Sequence, residues 1–336
     1  MVRCKSLKTF ILDYSAPIPR LDRRFKRILK QTPFDIVHIH SPFAVGSLAV
    51  KVAHQHNIPT VATLHSQYRQ DIQTIAKWGW LTDLVLKQLM KPFNRCQECW
   101  AVNAGMRELY LSEYGLTAKS KVQSNACDMV PVADVDAARR EIRERFSVTN
   151  DERLLLFVGR INFIKNLPFL IEALAQLRDK GFPFKMVFVG DGNDTAALQK
   201  LIRDHRLEQQ VVLAGKMTDR GQTAKVYAAS DLFVFPSLYD ANSLVQIEAA
   251  SQGLPTLFIR GAKTASSCIE DQNAFMSDND PAAYAQKIVD IFTDEASYNR
   301  VRTAAKRELY VTWDDSTQAV LDDYRRIIRE YHEKSV

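Results

Sequence analysis

Short apolar runs alternate with amphipathic stretches along most of the chain. FDIVHIH (34–40) predicts a buried strand and Val45–His56 a helix. PTVATLH (59–65) predicts the next strand, followed by a long helical stretch over Gln70–Arg95. CWAVN (99–103) and KVQSN (121–125) read as strands on either side of a helix over Ala104–Tyr114. The same grammar returns at RLLLFVG (153–159), FKMVFVGDG (184–192), residues 210–215, DLFVFPS (231–237) and PTLFI (255–259). Helical spacing separates these runs over 167–180, 194–206, 222–229 and 243–252. Strands alternating with helices predict parallel sheets covered on both faces. Two such blocks predict two doubly wound α/β domains, at 1–135 and 136–312, with a linker near Val130–Asp136. The tail from Ser297 to Glu333 is helical in pattern. Its last part, 313–336, carries Val320, Leu321, Tyr324, Ile327 and Ile328 on one face, a stripe that fits packing back toward the first domain.

Length agrees with two domains: 336 residues, at roughly 100–200 per domain. No apolar run reaches the roughly 18 residues of a membrane-spanning helix, and no secretory leader is read at the start. The five cysteines are Cys4, Cys96, Cys99, Cys127 and Cys268, too few and odd in number for a disulfide framework. They place the chain in a reducing, cytoplasmic compartment. Cys96 and Cys99 form a CxxC without a second ligand pair, which reads as two ordinary thiols rather than a metal site. The net charge of +6 is uneven. Residues 1–135 hold 18 Lys and Arg against 10 Asp and Glu, and the rest 27 against 29. Arg20, Arg23, Arg24, Lys26, Arg27 and Lys30 concentrate the excess. Two readings stand: a solvated helix face, or contact with anionic lipid headgroups at the inner face of a membrane or with another polyanion. No nucleic-acid motif accompanies the charge.

In an open α/β sheet, ligands bind beyond the C-terminal ends of the strands. Two segments put suitable chemistry there. In FVGRINFIKNL (157–167), Arg160 and Lys165 flank a short loop after a strand. Arg clamps phosphate oxygens in pairs and Lys acts as a point charge, so the two suit a diphosphate; alternatively they are surface cations. In FPSLYDANSLVQIEAASQGLP (235–255), a strand runs through a polar loop into a helix beginning near Ser243, whose free N–H groups offer an anion site. Asp240 and Glu248 could accept hydrogen bonds from sugar hydroxyls, or else cap the helix and form a structural ion pair.

These residues resemble those of the retaining glycosyltransferases of family 4, which have the GT-B fold: two Rossmann-like domains facing across a cleft. The matching pieces are FVGRINFIKNL, VFVGDG, VVLAGKM, VYAASDLFVFPS and the Asp240-x7-Glu248 segment, in family order. DIVHIHSPF, IPTVATLHS, AVNAGMRELYLSEYG and QSNACD extend the match across the first half. The resemblance implies transfer of a hexose from a nucleoside diphosphate sugar, the UDP form foremost, to a hydroxyl of a lipid or polysaccharide, with retention. It implies no metal and no cofactor beyond the donor. Arg160 and Lys165 would hold the diphosphate. Gly215, Lys216 and Met217 would read the base, and Glu248 the ribose. Asp240, with the backbone of Asn242, Ser243 and Leu244, would face the sugar and phosphate. His65 matches a first-domain histidine at the sugar's far edge; its structural alternative is a strand-end histidine in a local hydrogen bond.

Several positions depart from the family pattern. Asp240 replaces the usual Glu, Asn242-Ser243 stand where Phe-Gly is common, and Ala126 stands where Gly is usual. Asp278-Asn279-Asp280 imitates an Asp-x-Asp metal motif, but Asp280 before Pro281 reads as a helix N-cap. His38 and His40 share one strand face and read as packing and interdomain polar residues. Nothing before Phe34 resembles the family's opening strand and glycine-rich loop. Residues 1–18 read as irregular, so the first domain is expected to be incomplete, with an uncovered sheet edge. That expectation keeps an alternative open, a catalytically impaired nucleotide-sugar-binding protein or partner-dependent subunit. Finally, Trp78, Trp80, Leu81, Leu84, Leu86, Leu89 and Met90 lie beside Lys77, Lys87 and Lys91, a composition that fits either a core helix or one at a membrane interface.

Overall fold

The computed structural model describes residues 2–8, 15–75 and 78–333. Its contacts divide the chain into two units, Met1–Ser124 with Asp314–Val336, and Asn125–Trp313.

The first unit opens with β1 (Ser6–Lys8) and β2 (Ser15–Pro17), paired antiparallel. Sequence reading expected irregular structure there; strands of three residues carry too little alternation to be read. Next comes α1 (Arg23–Gln31), started by Asp22, whose carboxylate accepts from the Phe25 and Lys5 N–H groups at 3.0 Å each. The parallel sheet uses β3 (Val37–Ile39), β4 (Thr60–Leu64), β5 (Glu98–Ala101) and β6 (Ser120–Val122), with α2 (Ala44–Gln55), α3 (Tyr68–Ile75), α4 (Gly79–Phe93) and α5 (Ala104–Ser112) between them. The helical stretch expected over 70–95 is two helices, because Trp78 is extended (φ −105°, ψ 124°) ahead of Gly79. Lys77 lies outside the described residues.

The strand order is β3-β4-β5-β6. Every crossover therefore steps the same way, and right-handed crossovers put α2 to α5 on one face. The C-terminal helix (Trp313–Glu333) covers the other. It buries Ile327 against Val61 and Trp100, and Tyr324 stacks on Trp100 with ring centroids 5.6 Å apart. Arg326 clasps both oxygens of the buried Glu98 at 3.0 Å. Strand alternation sorts the remainder: Glu98 and Trp100 point to this helix, while the Cys99 thiol donates to the Phe93 carbonyl of α4 at 3.4 Å. The Cys96 thiol likewise donates to the Pro92 carbonyl.

The second unit runs α6 (Val135–Arg145), β7 (Arg153–Val158), α7 (Leu167–Asp179), β8 (Phe184–Val189), α8 (Thr195–Asp204), β9 (Val211–Gly215) and α9 (Arg220–Ala229). It continues with β10 (Leu232–Phe235), α10 (Leu244–Ser251), β11 (Thr256–Ile259), β12 (Phe275–Ser277), α11 (Pro281–Thr293) and α12 (Glu295–Leu309). Its parallel sheet has the order β12-β11-β10-β7-β8-β9. Leu154 to Phe157 are buried without a break, as expected of a strand covered on both sides. The unit begins at 125, ahead of the expected boundary at 135, because the connecting segment bonds into it. The Cys127 N–H donates to the Val311 carbonyl (3.0 Å) and the Val132 N–H to Gln252 Oε1 (2.9 Å). Ala126 is buried and is not among the residues of positive φ, so the departure from glycine brings no backbone strain.

Candidate functional site

Chain direction across the second sheet reverses between β7 and β10. From β7 the chain winds outward through β8 and β9; from β10 it winds the other way through β11 and β12. Such a reversal leaves a crevice beyond the C-terminal ends of the two strands. The residues following β7 and β10 are those singled out from sequence.

After β7, the loop 159–166 is tied down on both sides. The Ile161 N–H donates to the Asp191 carbonyl (3.1 Å), and the Phe163 N–H to Asp194 Oδ2 (2.7 Å). A short 3₁₀ turn, Phe163–Lys165, is capped by Asn162, whose side chain accepts from the Ile164 N–H. Asn166 is left-handed (φ 61°) and its side-chain amide donates to the Pro236 carbonyl at 3.3 Å. Asparagine tolerates that conformation better than most residues, so it can both end the turn and join the β7 and β10 loops. The consequence is a direct ion pair between Lys165 Nζ and Asp240 Oδ1, both side chains largely buried. The second oxygen, Asp240 Oδ2, and the hydroxyl of the fully buried Ser237 are buried without a hydrogen-bond partner. Buried orphan acceptors of this kind are uncommon in a finished core and mark polar space open to a ligand. Arg160 is exposed and makes no hydrogen bond or ion pair with the described residues.

Two close approaches require glycine along this edge. A Cβ on Gly190 (φ +143°) would lie 1.9 Å from the Gly159 carbonyl oxygen, and one on Gly192 would lie 2.1 Å from that of Ile161. Farther along, Gly215 (φ 72°) closes β9, and its carbonyl accepts from the Gly190 N–H at 2.8 Å. Lys216 is exposed and Met217 half-buried in the loop that follows. Because the strands are parallel, Asp240, the Arg160–Lys165 loop and Gly215–Met217 lie in that order along one edge. With neighbouring strands about 4.8 Å apart, β10 to β9 spans roughly 14 Å.

Glu248 sits inside α10 and is nearly buried. Arg220 Nη1 donates to its Oε1 at 2.6 Å, and the Tyr227 hydroxyl to its Oε2 at 3.1 Å. Arg220 also pairs with Asp128. These contacts tie Glu248 to α9 and so to the loop carrying Lys216 and Met217. Each carboxylate oxygen keeps a further lone pair for another donor. The burial of Tyr227 and the Glu248 charge beside it push the Tyr227 phenol well up, so it stays a neutral donor. Sequence reading missed Arg220 and Tyr227. Neither lies within the matched carboxylate segment, and only their spacing on α9, seven residues, signals that both project near one point.

At the start of α10 the Ser243 N–H, expected to be free for an anion, donates to Thr264 Oγ1 at 3.2 Å. Thr264 donates in turn to Gln246 Oε1 at 2.8 Å. Asn242 accepts from the Gln246 amide at 3.4 Å, and the Leu244 side chain is exposed. Asp240 does not cap α10; the N-cap is Ser243, whose side chain makes no capping bond. Asp280 is an N-cap, accepting from the Ala283 N–H at 2.8 Å, and Asp278 accepts from Arg260 at 3.0 Å.

His65 belongs to the first unit, just past β4. Its Nε2 meets His40 Nδ1 at 3.0 Å, so one ring donates and the other accepts. His38 stacks on His40 (4.4 Å) and is bonded through Nδ1 to the Tyr324 hydroxyl (2.5 Å) and through Nε2 to Thr63 (2.7 Å). Desolvation, with the neighbouring imidazoles, holds His38 down to about 3 and His65 to about 4. All three rings are neutral at pH 7; His40 is lowered as well, by desolvation.

Comparison with known proteins adds three findings. The family model described as Glycosyl transferases group 1 matches residues 138–308, and that described as Glycosyltransferase Family 4 matches 2–129. Among curated proteins, the chain is 25% identical over 247 residues to alpha-monoglucosyldiacylglycerol synthase of Streptococcus pneumoniae, covering 70% of this chain and 56% of that protein. It is 24% identical over 264 residues to the protein of the same name from Acholeplasma laidlawii, covering 75% and 64%. The chain thus spans less than two thirds of the length of either relative. Among solved structures, Anabaena Alr3699/HepE in complex with UDP and glucose matches with a TM-score of 0.70 at 17% identity, over 86% of this chain and 77% of that one. Sucrose-phosphate synthase from Thermosynechococcus elongatus matches with a TM-score of 0.73 at 19% identity, over 91% and 77%.

Proposed function

The chain belongs to the glycosyl transferases group 1 family, and from that premise we propose that it moves a hexose from a nucleoside diphosphate sugar to a hydroxyl of a lipid or polysaccharide, with retention at the anomeric carbon. The observation that carries this reading is the Lys165–Asp240 pair at the sheet's reversal point, with an unsatisfied carboxylate oxygen and the buried Ser237 hydroxyl beside it. In this reading Arg160 and Lys165 take the donor diphosphate, and Lys165 leaves Asp240 to do so. Gly215, Lys216 and Met217 face the base. Glu248, preset by Arg220 and Tyr227, accepts from the ribose hydroxyls. Asp240, freed of its cation, accepts from hydroxyls of the sugar, and Asn242, Ser243 and Leu244 border it. The family resemblance also assigns His65, a neutral imidazole of the first unit, to the sugar.

The C1–O bond to the β-phosphate breaks and the acceptor oxygen bonds to C1 on the same face. The departing phosphate oxygen takes the acceptor's proton. Charge grows on that phosphate, and Arg160 and Lys165 stabilise it where a divalent ion acts in other transferases. The donor is read as a UDP-sugar, with no further cofactor. Two relatives bear the name of a diacylglycerol-modifying synthase, which supports a lipid acceptor. The reading places such an acceptor at a peripheral contact on the cytoplasmic face; no helix among the described residues is long and apolar enough to cross a membrane.

The test is titration with UDP, GDP and ADP, then transfer from the matching sugar nucleotides. Lys165→Ala is expected to lower turnover by roughly 10²–10³-fold. Glu248→Gln is expected to weaken nucleotide binding roughly 10-fold or more, since a hydrogen bond to a charged group is worth about 1.5–3 kcal/mol. Unchanged turnover and binding in both variants would refute the site. Nucleotide binding without transfer to any acceptor would refute the transferase reading and leave a binding protein.

A further inference from the structure

The outer face of α4 is built differently from the rest of the helical layer. Trp78 and Trp80, at its start, are 65% and 67% exposed and stack with centroids 6.4 Å apart. Leu84, one turn on, is 48% exposed. Lys87 and Lys91 continue the same face at helical spacing, and Arg95 follows just past the end of the helix. All three are exposed, and none of the three side chains makes an ion pair or hydrogen bond with the described residues. The opposite face, with Thr82, Leu86, Met90 and Phe93, is buried. Core packing therefore uses one side of α4 and leaves on the other an aromatic-apolar half followed by a cationic half. From Trp80 to Lys91 is about 16 Å along the axis.

Two other features extend the surface. The helix α2 touches both α4 and α1. Five of the six cations at Arg20, Arg23, Arg24, Lys26, Arg27 and Lys30 are exposed, Lys26 being half-buried, and none of the six side chains makes an ion pair or hydrogen bond with the described residues. A 440 Å³ cavity beside α4 is lined by Leu86, Met90 and Tyr114, with Arg69, Lys87 and Lys91 among its polar neighbours. Arg69 Nε there is buried without a hydrogen bond, although Nη1 pairs with Asp83 at 2.9 Å.

We propose that this face of α4 is a docking surface for a bilayer containing anionic lipid, with Trp78, Trp80 and Leu84 entering the interface and Lys87, Lys91 and Arg95 meeting lipid phosphates. Indole rings favour the boundary between headgroups and acyl chains, and an amphipathic helix lying there needs apolar and basic residues together. A glycan platform is the competing use of paired tryptophans, but it has no need of Leu84 or of unpaired lysines on the same face. The choice of a lipid-bearing surface, as against any anionic one, rests on the lipid-acceptor reading above.

The experiment is co-sedimentation of the full chain with phosphatidylcholine vesicles, with and without about 30% phosphatidylglycerol, at low and high salt. UDP titration is run on the same samples. Wild type is expected to sediment with the anionic vesicles, to release in high salt, and to show a blue-shifted tryptophan emission when bound. Lys87→Gln with Lys91→Gln is expected to weaken binding roughly 30-fold, from a factor of about 5 per cation. Trp78→Ser with Trp80→Ser is expected to weaken it roughly 10-fold or more. Vesicle binding insensitive to both double variants, no vesicle binding at low salt, or capture of a neutral polysaccharide in place of vesicles would each overturn the proposal. Wild type that binds UDP but no anionic vesicles refutes the docking surface alone; wild type that binds the vesicles but no UDP refutes the donor site alone.

Discussion

The stacked histidines make the first unit acid-sensitive through one ring in particular. His38 is enclosed by strand β3, by Thr63 on β4 and by Tyr324 and Trp100, with His40 and His65 as its titratable neighbours. Its folded pKa, held down to about 3, lies below the ordinary value of 6.5. Below pH 6.5 the unfolded chain takes up a proton that the folded ring refuses. Stability is therefore complete above pH 6.5 and falls as pH drops toward 3, by about 1.4 kcal/mol per pH unit. Between pH 7 and 5, His38 alone should cost the first unit about 2 kcal/mol. His65 acts with the same sign but is more exposed, so its share is smaller. The assay is urea unfolding followed by tryptophan emission. Trp100 is the buried tryptophan and lies in this unit. Carboxylates also begin to titrate at pH 5, so the decisive quantity is the difference between wild type and His38→Gln. The variant should start less stable, having lost packing on Trp100, and show a pH slope smaller by about that amount. Equal slopes in the two proteins, or an imidazole resonance of His38 that titrates near pH 6, would refute the reasoning.

Two other outcomes follow from single contacts. Asp240→Asn leaves Lys165 without its carboxylate, and the diphosphate no longer competes with a negative charge. Binding of UDP should tighten by roughly 5-fold, about 1 kcal/mol, while transfer slows; calorimetric titration showing equal or weaker UDP binding would contradict the exchange of partners assigned to Lys165. Gly190→Ala drives a methyl group into the Gly159 carbonyl at 1.9 Å with φ +143°. It should destabilise the second unit by roughly 3 kcal/mol, read by thermal unfolding, and a melting temperature within a degree of wild type would show that the two loops can part.

How much of this was legible beforehand differs between the two units. In the second, each strand from Leu154 to Phe258 is long enough, apolar enough and bounded sharply enough for its run to be read, and the candidate site loops follow the strand ends directly. Arg160, Lys165, Asp240 and Glu248 could therefore be picked out as a set, and Lys165 does meet Asp240. What remained hidden is whatever depends on contacts distant in sequence. Arg220 reaches Glu248 across 28 positions, and Thr264 takes the Ser243 N–H across 21. No local pattern encodes either bond. The first unit was harder because its strands are three to five residues long and one helix breaks at Trp78.

The C-terminal helix shows why a one-sided reading of amphipathicity falls short. Val320, Tyr324 and Ile327 mark an apolar stripe, and the stripe alone says only that something is covered. The sequential strand order says what. With every crossover on one side, the opposite face of the first sheet has no helix of its own, and chain from the far end must supply it. Glu98 completes the logic. A carboxylate buried to that extent on a sheet face would be costly alone. It is matched by Arg326 from the incoming helix, by Lys119 at 3.0 Å and by the Trp100 indole at 2.9 Å. The helix thus closes the sheet with apolar contacts and fixes its own register with a charge. Arg326→Ala leaves Glu98 to Lys119 and the Trp100 indole alone, whereas removing Glu98 together with Arg326 leaves no buried charge to match.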